Sequence, residues 1–281
     1  MNALSVKNLS KTYANFKLDN ISFEVKKNHI VGLIGRNGAG KSTTIKGIMN
    51  FISKTGEIKI FNKAFLDDEQ QIKQEIGYVG GGFKFYQFKT LKKLAKIYSM
   101  FYTNWDNKKF SQYLKDFNLD ENKKIRELSS GMQVKFAIAL SLSHNAKLII
   151  MDEPTSGLDP ISRDEFCDIV LELAKQGVSI LFSTHITSDL MKVADDIVYI
   201  SNGKILANCT LDEILNKYFL VHFSSIKETK DIKIIGLKET KKGYEGLVLK
   251  NNLPTNIKYE KATLDNIMIH LEKEQNNEKL N

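Results

Sequence analysis

Residues 30 to 42 of the chain read Ile30-Val31-Gly32-Leu33-Ile34-Gly35-Arg36-Asn37-Gly38-Ala39-Gly40-Lys41-Ser42. The apolar run at residues 30 to 34 predicts a short strand that is buried on both faces. The segment that follows fits G-x-x-x-x-G-K-[ST], and residues 43 to 49 are predicted to be helical. A match between a strand and a helix is the context in which this pattern forms a phosphate-binding P-loop. The alternative, a chance glycine loop, is disfavoured by the flanking strand and helix.

The glycines of this loop allow its backbone N–H groups to converge on phosphate oxygens, and the following helix N-terminus adds a favourable dipole. Lys41 is therefore predicted to bridge the β- and γ-phosphates of a nucleotide. Ser42 is predicted to bind Mg²⁺ through its hydroxyl. We interpret the segment as a nucleotide site.

Two adjacent carboxylates, Asp152 and Glu153, follow a second apolar run at residues 148 to 151. Ligands bind at the carboxyl ends of buried parallel strands. Asp152 is predicted to hold Mg²⁺, which leaves Glu153 to polarise a water molecule for attack on the γ-phosphate. The alternative is a pair of acids that cap a helix. Beside a P-loop, the pair predicts hydrolysis of the nucleotide in addition to binding.

The composition of the 281 residues, with 42% hydrophobic and 26% charged side chains, is that of a soluble globular protein and excludes collagen-like and disordered chains. Its two cysteines make no disulfide framework. We expect neither secretion nor membrane spanning, because no signal pattern and no apolar run of roughly 18 residues occurs. The net charge of +8 indicates affinity for polyphosphate, nucleic acid or an anionic lipid surface, or equally an ordinary soluble surface, and decides between none of them. Any membrane role is expected to come through a partner.

The order of predicted elements indicates an α/β fold in two parts. Alternating apolar residues up to residue 25 predict antiparallel strands. Residues 84 to 145 are predicted to be largely helical, with Thr90 as a cap before the helix-spaced residues Leu91, Leu94, Ala95, Tyr98 and Phe101. From residue 148, β-α-β alternation predicts a parallel sheet, and Asn202-Gly203 predicts a hairpin turn. Later residues become Lys-rich and end in an amphipathic helix, so we predict two domains, residues 1–214 and 215–281.

Further motifs follow the P-loop in a definite order. They are Leu128-Ser129-Ser130-Gly131-Met132, Asp152-Glu153-Pro154, Ser156-Gly157-Leu158-Asp159 and Ser183-Thr184-His185. The serine-rich motif alone would predict only a capped helix. Together, over about residues 1 to 207, the motifs resemble the ATP-binding subunit of an ABC transporter. The resemblance implies a P-loop NTPase fold of ABC type, with an antiparallel β-subdomain, a helical signature subdomain and a small C-terminal α+β module.

The resemblance also implies an ATPase subunit that dimerises on ATP and uses ATP and Mg²⁺ as cofactors. The implied catalytic residues are Glu153, His185 and Lys41, and the implied metal ligands are Ser42 and Asp152. The implied nucleotide contacts are Tyr13, which stacks on adenine, with Gly35, Asn37, Gly38, Ala39, Gly40, Lys41, Ser42 and Thr43, and from the second subunit Ser129, Ser130, Gly131 and Asp159. Without the resemblance, Tyr13 would equally be a core aromatic and His185 a buried structural histidine.

Two departures from the family pattern bear on function. The family places a glutamine that contacts Mg²⁺ just after the strand at residues 76 to 79, where this chain has Gly80-Gly81-Gly82. Gln87 comes several residues too late. Met132 stands where many members have glutamine, which resembles the exporter branch with separate ABC-2-type permeases. The segment at residues 101 to 106 and the short C-terminal module resemble small Gram-positive ATPases, such as those of staphylococcal phenol-soluble modulin exporters.

The implied function is export of a substrate, an amphipathic peptide or a drug or antibiotic, by a separate permease at the cytoplasmic face of the membrane. The permease is predicted to dock near residues 83 to 93, which contain Phe83, Lys84, Phe85, Tyr86, Phe88, Lys89, Lys92 and Lys93. The other implied partner is a second ATP-binding subunit, identical or similar. The alternative is a soluble ABC-type ATPase that acts on nucleic acid or the ribosome. Such proteins carry a long coiled-coil insertion or tandem ATPase units, and this sequence has neither, so no nucleic acid partner is expected.

Overall fold

The computed structural model of the chain describes residues 1–80, 87–226, 232–253 and 257–278. Outside the described residues lie the predictions made for Gly81, Gly82, Phe83, Lys84, Phe85 and Tyr86. The chain splits into two compact units, Met1–Ile205 and Leu206–Asn281. Across the described ranges, no helix combines the length and the apolar character needed to cross a lipid bilayer.

The strands up to the unit boundary are β1 (Asn2–Tyr13), β2 (Phe16–Lys26), β3 (Ile30–Ile34), β4 (Thr55–Ile60), β5 (Lys63–Ala64), β6 (Ile76–Val79), β7 (Leu148–Asp152), β8 (Ser179–Thr184), β9 (Asp196–Ser201) and β10 (Lys204–Thr210). The helices are α1 (Lys41–Ile48), α2 (Glu69–Gln74), α3 (Leu91–Ser99), α4 (Asn107–Asp116), α5 (Ser130–Ser143), α6 (Pro160–Lys175) and α7 (Thr187–Val193), with a 3₁₀ helix at Ile125–Glu127.

A six-stranded sheet has the order β10-β9-β3-β8-β7-β6. In it, β3 pairs in parallel with β8 and β9, and β7 pairs in parallel with β6 and β8. Every residue of β3, β7 and β8 is buried, which confirms the doubly buried strand predicted at residues 30 to 34. The carboxyl ends of these three strands lie side by side, so Gly35, Glu153 and His185 follow them at one edge of the sheet.

The hairpin of β9 and β10 supports the P-loop. Its turn residues have positive φ values, 47° at Asn202 and 76° at Gly203, which confirms the predicted type I′ turn. The Gly203 N–H donates to Ala39 O at 2.9 Å. A Cβ added at Gly203 would lie 1.9 Å from Lys17 O, so this close approach requires glycine.

The second sheet of the first unit has the order β2-β1-β4-β5. β1 and β2 pair antiparallel as predicted, from Asn2 opposite Lys26 to Tyr13 opposite Phe16. The alternating apolar side chains share one core with side chains of α1, β3 and β7; they include Leu4, Val6, Leu9, Leu18, Ile21, Phe23 and Val25. The hairpin end brings Phe16 to the P-loop, because a Cβ added at Gly40 would lie 3.0 Å from Phe16 Cζ.

The helical part contains α3, α4 and α5 around its own apolar core. Thr90 caps α3 as predicted, and its hydroxyl accepts from the Lys93 N–H. Tyr98 packs against this core, but the helical position predicted for Phe101 is wrong, and Phe101 is 71% exposed. The reason is that α3 ends at Ser99, so Phe101 no longer follows the helical spacing.

The second unit, after the end of β10, contains α8 (Leu211–Lys217), β11 (Tyr218–Phe223), β12 (Ile235–Thr240), β13 (Gly243–Leu249), a 3₁₀ helix at Lys250–Asn252, β14 (Tyr259–Lys261) and α9 (Leu264–Glu278). Its antiparallel sheet has the order β12-β13-β11-β14. The amphipathic helix predicted near the end is α9, which lies on β12 and β13 and buries Leu264 and Ile267.

Candidate nucleotide site

The P-loop joins β3 to α1 and depends on glycine at two kinds of position. Gly38 and Gly40 have φ values of 83° and 117°, a left-handed conformation that favours glycine. Gly35 is constrained by space, since an added Cβ would lie 2.2 Å from Ile200 O of β9. The loop therefore follows the course that brings its backbone N–H groups to the start of α1, where an anion is favoured.

Lys41 lies inside this loop and is 4% exposed. Its Nζ donates to Gly35 O at 2.7 Å and to Arg36 O at 3.2 Å. The same ammonium is 2.9 Å from Glu153 Oε1. A buried ammonium needs such partners, and a phosphate oxygen would compete with the Glu153 carboxylate for it.

Asp152 and Glu153 are both held by Ser183, the next-to-last residue of β8. Asp152 Oδ1 accepts from Ser183 Oγ at 2.7 Å and from Ser42 Oγ at 3.0 Å. The Glu153 N–H donates to Ser183 Oγ at 2.9 Å. Sequence reasoning quoted Ser183 only as part of a motif, and the signal for its role is its place in the strand next to β7. One hydroxyl thus orients two acidic residues.

The Glu153 carboxylate lies between two nitrogen donors. Oε2 is 2.8 Å from His185 Nδ1, and Oε1 faces Lys41 Nζ. Because an ionised carboxylate only accepts hydrogen bonds, His185 Nδ1 is the donor in this pair. The structure therefore joins all three predicted catalytic residues in one contact chain.

A cavity of about 610 Å³ opens over the P-loop. Its lining residues are Tyr13, Asn15, Phe16, Asn37, Gly38, Gly40, Lys41, Ser42, Thr43 and Glu153. Tyr13, at the end of β1, is 43% exposed, and its ring centroid lies 6.5 Å from that of Phe16. Sequence reasoning missed Asn15 and Phe16, although the short turn after Tyr13 places them beside it. The volume lies in the usual range for small-molecule sites.

Six of the predicted contact residues are absent from the lining of this cavity: Gly35 and Ala39 of the P-loop, and, farther along the chain, Ser129, Ser130, Gly131 and Asp159. Ser129 caps α5, and Ser130 Oγ donates to Gly157 O at 3.4 Å. Asp159 caps α6, and its pKa is lowered by hydrogen bonds from the Ser162 side chain and backbone. The structure brings these last four residues together where α5 and α6 begin, since a Cβ on Gly131 would meet Ser162 Oγ at 2.8 Å.

The possible metal ligands at the cavity are oxygen atoms. Within the described part of the chain, no group of three or more His, Cys, Asp or Glu side chains is arranged to hold a metal ion. Asp152 and Ser42 together offer one carboxylate and one hydroxyl. Such a sparse oxygen set suits Mg²⁺, which commonly keeps waters and substrate phosphates as its remaining ligands.

Comparison with known proteins agrees with this geometry. The family model described as "ABC transporter" matches residues 18–156. The ATP-binding protein EcsA of Bacillus subtilis is 33% identical over 225 residues, which cover 78% of this chain and 91% of EcsA. The chain belongs to the ABC transporter ATP-binding subunit family. Members of this family hydrolyse ATP, so the chain is an ATPase subunit.

Other family members support the same assignment. The bacitracin transport ATP-binding protein BcrA of Bacillus licheniformis is 34% identical over 211 residues, which cover 73% of this chain and 69% of BcrA. A solved ATP-binding subunit of an ABC transporter has a TM-score of 0.68 at 30% identity and covers 75% of this chain and 91% of its own. The ADP conformation of an ATP-binding cassette has a TM-score of 0.67 at 28% identity, over 76% of this chain and 92% of its own.

Proposed function

We propose that this ATPase subunit binds Mg²⁺-ATP in the cavity over the P-loop and hydrolyses it with Glu153 as general base. The observation that carries the proposal is the contact chain Lys41–Glu153–His185 at the mouth of β7 and β8. A base that is held by hydrogen bonds at the edge of a phosphate site is placed to accept a proton from an attacking water.

Tyr13 and the P-loop divide the binding of ATP between them. The exposed Tyr13 ring offers a stacking surface for adenine at one end of the cavity, and Lys41 offers its ammonium to the phosphates at the other. Asn37 and Thr43 line the same cavity. Backbone N–H groups at Gly38 and Gly40, which also line the cavity, would complete the cradle.

Ser42 and Asp152 would hold Mg²⁺, which neutralises phosphate charge when it is bound. The Ser42 and Ser183 hydroxyls both donate to Asp152 Oδ1, so the carboxylate is oriented by two hydrogen bonds. When the phosphates of ATP bind the Lys41 ammonium, Glu153 Oε1 loses this partner and becomes available to the attacking water. The hydrogen bond from His185 to Glu153 Oε2 remains and orients the carboxylate.

A second subunit is needed because Ser129, Ser130, Gly131 and Asp159 lie outside the cavity of their own chain. The start of α5 carries an exposed serine, Ser130, and a helix N-terminus favours an anion. Two copies, or this chain and a similar one, would each offer this surface to the γ-phosphate held by the other. ATP would then join the subunits, and hydrolysis would let them separate.

A membrane permease would dock on the exposed apolar side chains of the helical part. Phe88, Met100 and Phe101 are all more than 70% exposed, and the nearby Lys89, Lys92 and Lys93 are exposed as well. Met100 and Phe101 are adjacent exposed apolar side chains just after α3, whereas Phe88 lies before it. Exposed apolar surface suits a protein partner, and exposed lysines suit anionic lipid headgroups. The subunit would thus be held at the cytoplasmic face of the membrane.

The direction of transport is proposed to be export through an ABC-2-type permease. The support comes from Met132 in the signature and from relatives named for bacitracin transport and for multidrug transport. A drug, an antibiotic or an amphipathic peptide of the phenol-soluble modulin kind is the proposed cargo.

The experiment that tests the hydrolytic site is Glu153→Gln. We expect ATP affinity to stay within about twofold, turnover to fall at least about a hundredfold, and an ATP-bound dimer to accumulate, because the binding contacts remain while the base is lost. Glu172→Gln, an exposed change on α6, serves as the control. Near-normal hydrolysis by Glu153→Gln would remove the general-base assignment.

The docking surface is tested by Met100→Ala combined with Phe101→Ala. We expect the ATPase activity of the isolated subunit to stay within about twofold and co-purification with the permease to weaken about tenfold, as for loss of interface side chains. Met191→Ala, an exposed methionine on α7, is the matched control. Full permease binding by the double variant would refute this surface.

A further inference from the structure

A buried hydrogen bond lies behind the catalytic pair. Thr155, two residues after Glu153, is 1% exposed, and its Oγ1 donates to Asp189 Oδ2 at 2.7 Å. Asp189, in α7 and four residues after His185, is 2% exposed. The chain segments that carry Glu153 and His185 are therefore joined a second time, away from the cavity.

Arg163 of α6 completes this network. Its Nε and Nη2 lie 3.1 Å and 2.5 Å from Asp189 Oδ1, and Nη2 also donates to Ser188 Oγ at 2.8 Å. A buried carboxylate is tolerated only when its charge is paired and its oxygens are hydrogen-bonded. Arg163 supplies the charge on one oxygen of Asp189, and Thr155 supplies the hydrogen bond on the other.

Asp189 also affects the pKa of a neighbouring thiol. Burial, and after it the charge of Asp189, raise the pKa of the neighbouring Cys167 to about 11. Thr155 and Asp189 are both almost fully shielded from solvent. The network is thus a fixed electrostatic junction and not a solvated surface ion pair.

The backbone between Glu153 and Asp159 depends on this junction. Glu153 has a φ of 50°, a left-handed conformation that non-glycine residues hold only when their surroundings impose it. The Glu153 N–H is fixed by Ser183, and the Ser156 N–H donates to Glu153 O at 3.2 Å. Thr155 lies between these two anchors, and its hydroxyl joins this part of the loop to Asp189.

We propose that Thr155, Asp189 and Arg163 are positioning residues for ATP hydrolysis, which hold the Glu153 carboxylate and the His185 imidazole at their working separation. The proposal rests on the assignment of Glu153 as general base. A displacement of about 1 Å at a catalytic group can cost about a hundredfold in rate. The same network ties this pair to the start of α6, next to Asp159.

The test variant is Thr155→Val, which removes the hydroxyl and keeps the shape of the side chain. We expect kcat to fall about tenfold while KM and the affinity for a fluorescent ATP analogue stay within about twofold, because Tyr13 and Lys41 are untouched. Thr155→Ser, which restores the hydroxyl, should recover most of kcat. Thr240→Val removes a comparable hydroxyl, which donates to Gly243 O in the second unit, and is the matched control.

A second variant distinguishes loss of positioning from loss of folding. Arg163→Lys keeps the charge but loses the two-nitrogen contact with Asp189, and it should also lower kcat without changing ATP affinity. Combined with Thr155→Val, it should cost less than the product of the two single effects, since both act through Asp189.

The proposal is overturned if Thr155→Val and Arg163→Lys both keep the full kcat. It is also overturned if kcat and ATP affinity fall together with the melting temperature, which would indicate a purely structural role. Glu153→Gln is measured in parallel. If it is inactive while both network variants are normal, only the positioning role fails; if it is active, the general-base assignment fails and the positioning role falls with it.

Discussion

Two helix starts in this chain carry glycine and serine, and they differ in what surrounds them. The start of α1 is enclosed by a cavity of about 610 Å³ that also contains Tyr13 and Glu153. The start of α5 has Ser129 as a cap and the exposed Ser130, which contacts Gly157. Both helix starts present backbone N–H groups, which favour an anion. Only the first is also supplied with an ammonium, a base and a stacking ring by its own chain.

The difference indicates that a helix N-terminus becomes a nucleotide site through its neighbours. Lys41, the first residue of α1, and Glu153, which follows β7, meet at 2.9 Å. At α5 the neighbouring loop contributes the backbone oxygen of Gly157 and the capping carboxylate of Asp159. In the proposed function, a second subunit would bring the phosphate to the α5 surface.

The largest effect is expected at the complete site. Lys41→Ala should weaken ATP binding roughly a thousandfold, because a charged donor contributes about 1.5–3 kcal/mol per hydrogen bond and Lys41 would contact two phosphates. Titration with a fluorescent ATP analogue measures the affinity of each variant. Lys46→Ala, an exposed lysine of the same helix, is the control. If Lys41→Ala bound ATP within tenfold of the unchanged chain, Lys41 would not be what distinguishes the start of α1 from the start of α5.

The stability of the fold at the C-terminal end of α5 should depend on pH. His144 follows α5, stacks on Tyr102 at 3.7 Å, and has its pKa lowered by burial to about 4. The unfolded chain, with an ordinary histidine pKa, therefore binds more protons below about pH 6.5. The stability that this neutral histidine contributes is complete above pH 6.5 and is lost as the pH falls from 6.5 towards 4. The full loss is about 3 kcal/mol at roughly 1.4 kcal/mol per pKa unit.

Urea unfolding at pH 7 and pH 5 measures this loss. His144→Phe keeps a stacking ring without a titrating group, so its free energy of unfolding should fall by about 2 kcal/mol less between these pH values than that of the unchanged chain. Burial also lowers the pKa of His270, but that histidine is present in both proteins and cancels. Equal pH dependence of the two would show that His144 does not titrate between folded and unfolded states.

A smaller effect is expected at the start of α5. Ser130→Glu places a negative charge where the second subunit would bring its γ-phosphate, so hydrolysis should fall at least about tenfold while ATP binding by one subunit stays within about twofold. Ser53→Glu, at another exposed serine, controls for the added charge. Loss of ATP binding by Ser130→Glu would mean that both helix starts serve the same nucleotide.

The smallest effect is expected from removal of the residues after β10. Both helix starts belong to the first unit, so a chain that ends at Thr210, the last residue of β10, should bind ATP within about twofold of the full chain. Circular dichroism establishes that the shortened chain is folded, and the same ATP titration measures its affinity. A folded chain that no longer binds ATP would make the second unit part of the nucleotide site.

The sequence by itself determined the local elements of this protein and the family to which it belongs. The strand before the P-loop, the Thr90 cap and the turn at Asn202-Gly203 all formed as predicted. Their conformations depend on residues within a few positions along the chain, such as a capping hydroxyl or a residue that tolerates positive φ. The helical spacing failed at Phe101, where the chain leaves α3.

Only the tertiary structure decided which distant groups meet. Ser42 and Asp152 are 110 positions apart, Ser183 and Asp152 are 31 apart, and Thr155 and Asp189 are 34 apart. Such contacts depend on the order β3-β8-β7 in the sheet, and the apolar pattern of a strand does not state which strand lies beside it. The motifs therefore identified Asp152, Glu153 and His185. The strand order placed the Ser183 hydroxyl against the Asp152 carboxylate and the Glu153 N–H, and it brought Thr155 to Asp189 of α7.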